Sequence, residues 1–247
     1  MQSSVERAAA RRVLVAIPAY NEEATIGGVV DCVRRAAAGF DLLVVNDGSQ
    51  DGTESILRQR GVTTATHLCN LGYGRAVQTA IKYAQRHGYD ALITFDADGQ
   101  HRAEDLPRLY ETFASGPDDV VIGSRFIEHK RYDSEPPVRR IGMRLFSSLI
   151  GLLTGKRIYD TSSGLKVVGR RVFDVMGRRP FIDFHAEAIV YLVESGFGVG
   201  ECPISVNQRT HGMSMYNAAS ALKYPIKVCF LLFLGLLDAR LTRAARA

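Results

Sequence analysis

The rest of the chain is interpreted from one stretch, which is Ala91-Leu92-Ile93-Thr94-Phe95-Asp96-Ala97-Asp98-Gly99-Gln100-His101. A run of strand-forming residues ends there in two carboxylates separated by one residue. In an extended chain residues i and i+2 point the same way, so Asp96 and Asp98 can aim at one point. Two negative charges at such a short distance are unfavourable unless a positive charge lies between them. An Mg²⁺-type ion that also binds phosphate oxygens would supply this positive charge. A solvated acidic turn is the alternative, and the stretch alone leaves both interpretations open.

Strand-like apolar segments alternate with helical patterns around this stretch. The strand segments are 13–17, 42–45, 62–68, 91–95 and 119–122, and the helical segments are 23–38, 54–59, 74–87 and 103–115. Such alternation is typical of a parallel sheet with helices on both faces. The sequence therefore predicts an α/β fold.

Polar turns follow three of the predicted strands, at Asp47, Asp96 and Arg125. In a parallel sheet the carboxyl ends of the strands lie at one edge, and ligands bind in the crevice outside that edge. The three turns are therefore expected to share one pocket.

The second half of the chain has a less regular pattern. Residues 128–137 are charged, contain proline and predict a loop, and helices are predicted at 138–154, 171–176 and 184–195. Short strands are predicted at 165–168 and 198–206, and the turn Asp160–Gly164 precedes the first of them.

The size and charge of the chain narrow its class. Its 247 residues suit one large α/β domain or two small ones, and its net charge of +5 suits an anionic partner such as a nucleotide, a lipid phosphate or a membrane surface. Four widely spaced cysteines indicate neither a zinc site nor a disulfide framework, and we expect buried free thiols in a reducing cytosol. Residues 1–12 have no apolar core and predict a flexible arm.

The C-terminal pattern differs from the rest. Residues 218–240 predict a helix that carries the apolar run Val228–Leu237 between basic residues. This run is about half of the ~20 residues needed to span a bilayer. A short apolar helix with basic flanks suits a membrane interface, and docking on the protein's own core or at a dimer contact is the alternative.

The turns carry ordered motifs. They are Pro18-x-Tyr20-Asn21-Glu22, Asn46-Asp47-Gly48-Ser49-x-Asp51-Gly52-Thr53, Asn70-x-Gly72-x-Gly74, Asp96-x-Asp98-x-Gln100-His101 and Gly123-Ser124-Arg125. Together they resemble inverting glycosyltransferases of family 2, which have the GT-A fold. Later motifs are similar to the branch of dolichyl-phosphate mannose synthases and polyprenyl-phosphate glycosyltransferases. These are Asp160-x-x-Ser163-Gly164, Glu187, Glu201-x-Pro203-Ile204 and Arg209-x-x-Gly212-x-Ser214.

The resemblance implies a domain plan. A GT-A catalytic domain, Rossmann-like with a mainly parallel sheet flanked by helices, would span 13–215, with a nucleotide-binding half at 13–126 and an acceptor half at 127–215. Residues 1–12 would be the arm, and 216–247 would form an amphipathic or apolar helix for the membrane interface or for docking.

The resemblance also implies roles for individual residues. The nucleotide would be bound by Pro18, Tyr20, Glu22, Asp47 and Asp96. A divalent cation, Mg²⁺ or Mn²⁺, would be held by Asp96, Asp98 and Gln100. The catalytic residues would be Asp98, Arg125, Glu187 and Arg209. The acceptor phosphate would be bound by Arg125, Arg139, Arg209 and Ser214. His185, on another helix face than Glu187, is expected to be structural.

The implied function is metal-dependent transfer of a sugar from GDP-mannose or a UDP-hexose to a polyprenyl, dolichyl-type phosphate at the cytosolic membrane face. The protein would be peripheral, attached to the membrane or to a small membrane protein through its C-terminal helix; homo-oligomers are compatible with this, and no nucleic acid is involved. One alternative is transfer to the hydroxyl of a soluble glycan or natural product with Glu187 as base. Another is a non-catalytic nucleotide-sugar-binding protein. Asn46 and Met215 depart from the usual Asp and Lys of these motifs.

Overall fold

Seven strands form one sheet in the computed structural model, which describes residues 12–128, 137–179, 184–206, 230 and 233–237. The strands are β1 Val13–Ala19, β2 Asp41–Asn46, β3 Thr63–Thr66, β4 Ala91–Thr94, β5 Val120–Ser124, β6 Lys166–Gly169 and β7 Val199–Pro203. Their order across the sheet is β3-β2-β1-β4-β6-β5-β7. The helices of the described chain are α1 Ile26–Ala36, α2 Thr53–Gln59, α3 Tyr73–Arg86, α4 Asp105–Ser115, α5 Pro137–Thr154, α6 Arg170–Arg178 and α7 Ala186–Glu194.

The predicted α/β fold with a mainly parallel sheet is confirmed, and one strand runs the other way. β6 lies between β4 and β5 and is antiparallel to both, whereas the other pairings are parallel. After β5 and α5 the chain returns to the edge where β5 ended, so β6 must enter the sheet from that side. β4 and β5 therefore still point in the same direction, and their carboxyl ends share an edge.

The sheet is buried on both faces. All seven residues of β1 are buried, and successive side chains alternate between two apolar clusters, as parallel strands covered by helices do. Helices α3, α6 and α7 pack on the cluster that contains Leu14, and α1 and α4 pack on the cluster that contains Val15. The apolar face predicted for 74–87 lies in the first cluster.

The first described residue is firmly attached. The predicted flexible arm includes Arg12, yet the backbone N–H of this residue donates to Asp90 (3.0 Å). Its guanidinium donates to the carbonyl of His87 (2.7 Å) and lies over the Tyr89 ring. The rest of the predicted arm, residues 1–11, and most of the predicted loop at 128–137 lie outside the described residues.

A short C-terminal helical segment, residues 233–237, packs on the body of the protein. Leu236 is buried in a small cluster with Ile150 of α5 and with Ala186 and Val190 of α7. Gly235 lies so close to α7 that an added Cβ would stand 2.8 Å from the carbonyl oxygen of Glu187. Three other described C-terminal residues, Phe230, Phe233 and Leu237, are exposed. No helix in the described ranges is long and apolar enough to cross a bilayer.

The cysteines differ in part from the expectation. Cys32, Cys69 and Cys202 are free thiols, but only Cys202 is buried. Cys32 faces outward on α1 and Cys69 lies in the loop after β3, where neither side chain is needed for packing.

Candidate nucleotide-sugar and metal site

The three polar turns meet at one edge of the sheet, as predicted. β1 pairs in parallel with both β2 and β4, so Asp47 and Asp96 follow strands that end on the same side. Arg125 follows β5, which has the same direction. Between β4 and β5 the edge is occupied by the turn that leads into β6.

The turns after β1 and β2 are tied together by hydrogen bonds. Asn21, with a positive φ of 55°, donates its N–H to Ser49 Oγ (3.0 Å) and accepts at Oδ1 from Gln50 N–H (2.8 Å). Glu22 donates its backbone N–H to Thr53 Oγ1 (2.8 Å). The proposed nucleotide-binding residues thus sit on a rigid platform, on which Tyr20 is exposed.

Pro18 is part of the same platform. It is buried within β1, where it pairs with Val45 of β2. Because its side chain is buried, its predicted contribution to nucleotide binding would come from the backbone.

Asp47 is almost fully buried, with 3% of its surface exposed. Its Oδ1 accepts from Leu71 N–H (2.9 Å) and contacts His67 Nδ1 (2.6 Å), and its Oδ2 accepts from Gly72 N–H (2.8 Å). His67 in turn contacts Thr79 Oγ1 (2.9 Å). Asp47 therefore fastens the loop between β3 and α3, and a nucleobase contact would add to these bonds.

Asp96 is enclosed by basic and polar side chains. His101 Nε2 lies 3.2 Å from its Oδ2, and the Tyr73 hydroxyl lies 3.4 Å from its Oδ1. Burial opposes ionisation, but the hydrogen bond from His101 and the positive charges of His101, His185 and Lys166 outweigh it and lower the pKa of Asp96 to about 2. The carboxylate is therefore ionised at neutral pH.

Asp98 and Gln100 complete this turn. Both are half-buried, and Asp98 Oδ1 accepts the backbone N–H of Gln100 (3.0 Å). No three His, Cys, Asp or Glu side chains converge as a metal cluster in the described parts of the chain. Two carboxylates nevertheless fit Mg²⁺ or Mn²⁺ bound with a diphosphate, because such ions take one or two protein carboxylates and complete their shell with phosphate oxygens and water. Asp96 is ionised and its side chain keeps 28% of its surface exposed, which matches that requirement.

Arg125 forms a buried ion pair. Its Nε and Nη2 donate to the two carboxylate oxygens of Asp160 (2.7 and 2.8 Å), and Nη2 also donates to Ser162 Oγ (2.8 Å). Asp160 has no exposed surface, and despite burial the hydrogen bond and charge of Arg125 lower its pKa. In this structure Arg125 anchors the 160–164 turn, and its predicted role toward phosphate stays a prediction.

Glu201 of β7 supports that turn from below. Its carboxylate accepts the backbone N–H groups of Tyr159 and Asp160, both at 2.9 Å. Burial raises its pKa, against the lowering effect of these bonds. The motif residues Asp160 and Glu201 thus hold in place, through these bonds, the 160–164 turn beside Asp96.

The remaining predicted residues belong to the acceptor half. Glu187 lies in the first turn of α7 with 8% of its surface exposed, and Arg139 lies in the first turn of α5. Arg209 and Ser214 lie outside the described residues. The structure therefore leaves the acceptor roles of these four residues as predictions.

No binding or catalytic role for three basic residues of the site follows from the sequence. His185, expected to be structural, precedes α7 with its ring stacked on Tyr73 (centroids 5.1 Å apart) and contributes to the charge around Asp96. His67 and Lys166 were given no role. A lysine inside the otherwise apolar strand 165–168 was the available signal for Lys166, whereas nothing local distinguishes His67.

The fold defines the class of protein. The solved structure of glucosyl-3-phosphoglycerate synthase from Mycobacterium tuberculosis, in complex with Mn²⁺, UDP and glucosyl-3-phosphoglycerate, matches with a TM-score of 0.67 and 17% identity over 94% of this chain and 83% of that chain. A likeness at this identity establishes the fold, which is the GT-A glycosyltransferase fold.

The sequence comparison then gives the family. The chain belongs to glycosyltransferase family 2, whose model matches residues 14–177. It is 28% identical to the UDP-N-acetylglucosamine–dolichyl-phosphate N-acetylglucosaminyltransferase of Methanococcus voltae, over 82% of this chain and 88% of that protein. It is also 28% identical to the polyprenol monophosphomannose synthase of Mycolicibacterium smegmatis, over 88% of this chain and 86% of that protein. The resemblance to the polyprenyl-phosphate branch is confirmed.

Proposed function

We propose that the protein transfers a sugar from GDP-mannose or a UDP-hexose to a polyprenyl phosphate at the cytosolic face of a membrane. The observation that carries this proposal is the meeting of Asp47 with the Asp96 and Asp98 turn at one edge of a family 2 sheet. The names of the two relatives, both of which act on a lipid phosphate, support the choice of acceptor.

The donor would lie across the edge of the sheet. The platform of Tyr20 and Glu22 and the loop fastened by Asp47 would hold the nucleotide. Asp96, Asp98 and Gln100 would hold Mg²⁺ or Mn²⁺, which when bound neutralises charge that develops on the departing diphosphate. His101 keeps Asp96 ionised and oriented for that task.

The acceptor needs less activation than an alcohol would. A polyprenyl phosphate is already an anion at neutral pH, whereas a hydroxyl needs a carboxylate base. Arg139, Arg209 and Ser214, with Arg125, would bind the acceptor phosphate, since arginine offers a planar fork to phosphate oxygens. Glu187 would then be dispensable as a base, which separates this proposal from transfer to a hydroxyl.

A transfer assay tests the proposal. The protein is incubated with Mn²⁺, polyprenyl phosphate in detergent and radiolabelled GDP-mannose, UDP-glucose or UDP-N-acetylglucosamine. We expect a lipid-linked product from one donor, lost on chelation by EDTA. Absence of product with every donor would contradict the proposal. Abolition of lipid transfer by Glu187→Gln, with Glu54→Gln on the outer face of α2 as control, would favour a base mechanism instead.

A further inference from the structure

Lys166 is a buried basic residue to which the roles above assign no task. It lies on β6, opposite Thr94 of β4 and Ile122 of β5, with 1% of its surface exposed. An ammonium group taken out of water is strongly disfavoured unless other groups compensate it, so packing alone would not place a lysine here.

The ammonium joins three parts of the site. It donates to the carbonyl oxygen of Ser163 in the 160–164 turn, and it lies 3.2 Å from His185 Nδ1. It also lies 5.9 Å from the centre of the Phe184 ring, at the start of the segment that leads into α7. The position of the charge is therefore fixed by several contacts.

The same side chain is connected to Asp96 through the backbone of the 160–164 turn. Gly164, two residues before Lys166, is pressed against the Asp96 carboxylate, where an added Cβ would stand 1.9 Å from Oδ2. The Lys166 ammonium donates to the carbonyl oxygen of Ser163, the residue directly before that glycine. The Ser163–Gly164 backbone thus contacts both side chains, the lysine through Ser163 and the aspartate through Gly164.

We propose that Lys166 is a positioning residue of the transfer reaction, whose buried ammonium supplies a fixed positive charge behind Asp96. The charge acts through space and does not touch substrate. It attracts the diphosphate of the donor toward the sheet edge, and it weakens the hold of the two aspartates on a divalent cation until that diphosphate arrives. The inference rests on the proposed function for the identity of these two ligands.

Two binding measurements on Lys166→Met test the inference, with Lys166→Arg as the matched variant that keeps the charge. Mn²⁺ binding is measured without nucleotide by electron paramagnetic resonance, and binding of UDP and of GDP is measured calorimetrically at saturating Mn²⁺. Because a unit charge is removed from a poorly screened site, we expect Lys166→Met to bind Mn²⁺ several-fold more tightly and the nucleotide roughly tenfold more weakly. Lys166→Arg should remain within about twofold of the wild type in both.

A merely structural role predicts a different result. Loss of packing would weaken both ligands together and lower the melting temperature, and that outcome, or unchanged affinities in Lys166→Met, would overturn the inference. A different result would contradict the proposed function: the wild-type protein would bind Mn²⁺ and nucleotide but form no lipid-linked product.

Discussion

Four carboxylates at or near the sheet edge have different partners, and those partners decide what each can do. Asp47 accepts hydrogen bonds from two backbone N–H groups and contacts a histidine. Asp96 contacts His101, and Asp160 pairs with Arg125. Asp98 contacts the backbone of its own turn. The more strongly a carboxylate is bonded within the protein, the more its loss affects folding rather than ligand binding.

Asp98→Ala is expected to remove activity without loss of the fold. The side chain is half-buried and accepts the backbone N–H of Gln100 within its own turn, so the melting temperature should change little. Transfer should fall at least about 100-fold, as when one charge-stabilising group is removed from an active site. Mn²⁺ binding should weaken in parallel. Asp31→Ala, on the outer face of α1, is the control, and equal activity of the two variants would contradict the assignment of Asp98.

Asp160→Asn is expected to destabilise the protein in a pH-dependent way. The folded-state pKa of Asp160 is lowered, so its contribution is present above its unfolded pKa of about 3.9 and is lost as the pH falls through the folded pKa. At pH 7 the variant leaves Arg125 without its counter-ion, which costs about 3–5 kcal/mol.

Urea unfolding at pH 7 and pH 3 measures this effect. The difference between wild type and Asp160→Asn should shrink at the lower pH. Glu54→Gln removes an exposed α2 pair with Arg58 and should cost less than about 1 kcal/mol at pH 7. A loss that is equal at both pH values would show that the charge of Asp160 is not the cause.

At the scale of elements, close backbone contacts connect the acceptor half to the rest. The 160–164 turn reaches Asp96 only because residue 164 is a glycine, and the C-terminal segment reaches α7 only because residue 235 is a glycine. Both contacts involve the surroundings of β6 and α7: Lys166 lies on β6, Glu187 lies on α7, and His185 directly precedes α7. The position of the C-terminal segment is therefore linked, through α7, to the residues around Asp96.

Gly235→Ala is expected to displace the C-terminal segment from α7. The new Cβ would stand 2.8 Å from the Glu187 carbonyl oxygen, closer than real contacts allow. Hydrogen exchange should therefore become faster in residues 233–237 and at the start of α7. Gly28→Ala in α1 meets nothing within 4 Å and is the matched control. Unchanged exchange in Gly235→Ala would show that the segment does not depend on this contact.

At the scale of the whole molecule, exposed apolar side chains lie on two neighbouring elements. Phe230 and Phe233 are each 59% exposed, beside the buried Leu236. Leu145 and Leu152 of α5 are exposed as well, and α5 also carries the basic residues Arg140 and Arg144. Basic and apolar residues together, on a chain of net charge +5, suit an anionic lipid surface. The C-terminal segment is therefore compatible with docking on the protein's own core and with membrane contact. One of its faces packs on α5 and α7, while the other is exposed.

Vesicle sedimentation tests this surface. The protein should pellet with vesicles that contain anionic lipid, less so at high salt because the charge contribution is screened. The triple variant Phe230→Ser, Phe233→Ser, Leu237→Ser should bind several-fold more weakly. Leu68→Ser removes a fully exposed leucine in the loop after β3 and should bind as the wild type does. Equal weakening by both variants would show that apolar exposure in general, not this surface, drives the binding.

The sequence alone determined the α/β alternation, the apolar helix faces, the family and the shared edge of Asp47, Asp96 and Arg125. These follow from local periodicity and from the rule that parallel strands end on one side, which need no knowledge of distant contacts. The three-dimensional contacts were needed to show that β6 is antiparallel and that Arg125 pairs with Asp160. They also show that His67, His185 and Lys166 lie around the aspartates. The physical reason is separation along the chain, since these partners are at least 19 residues apart. The charge around a carboxylate therefore depends on which distant strands and turns fold beside it.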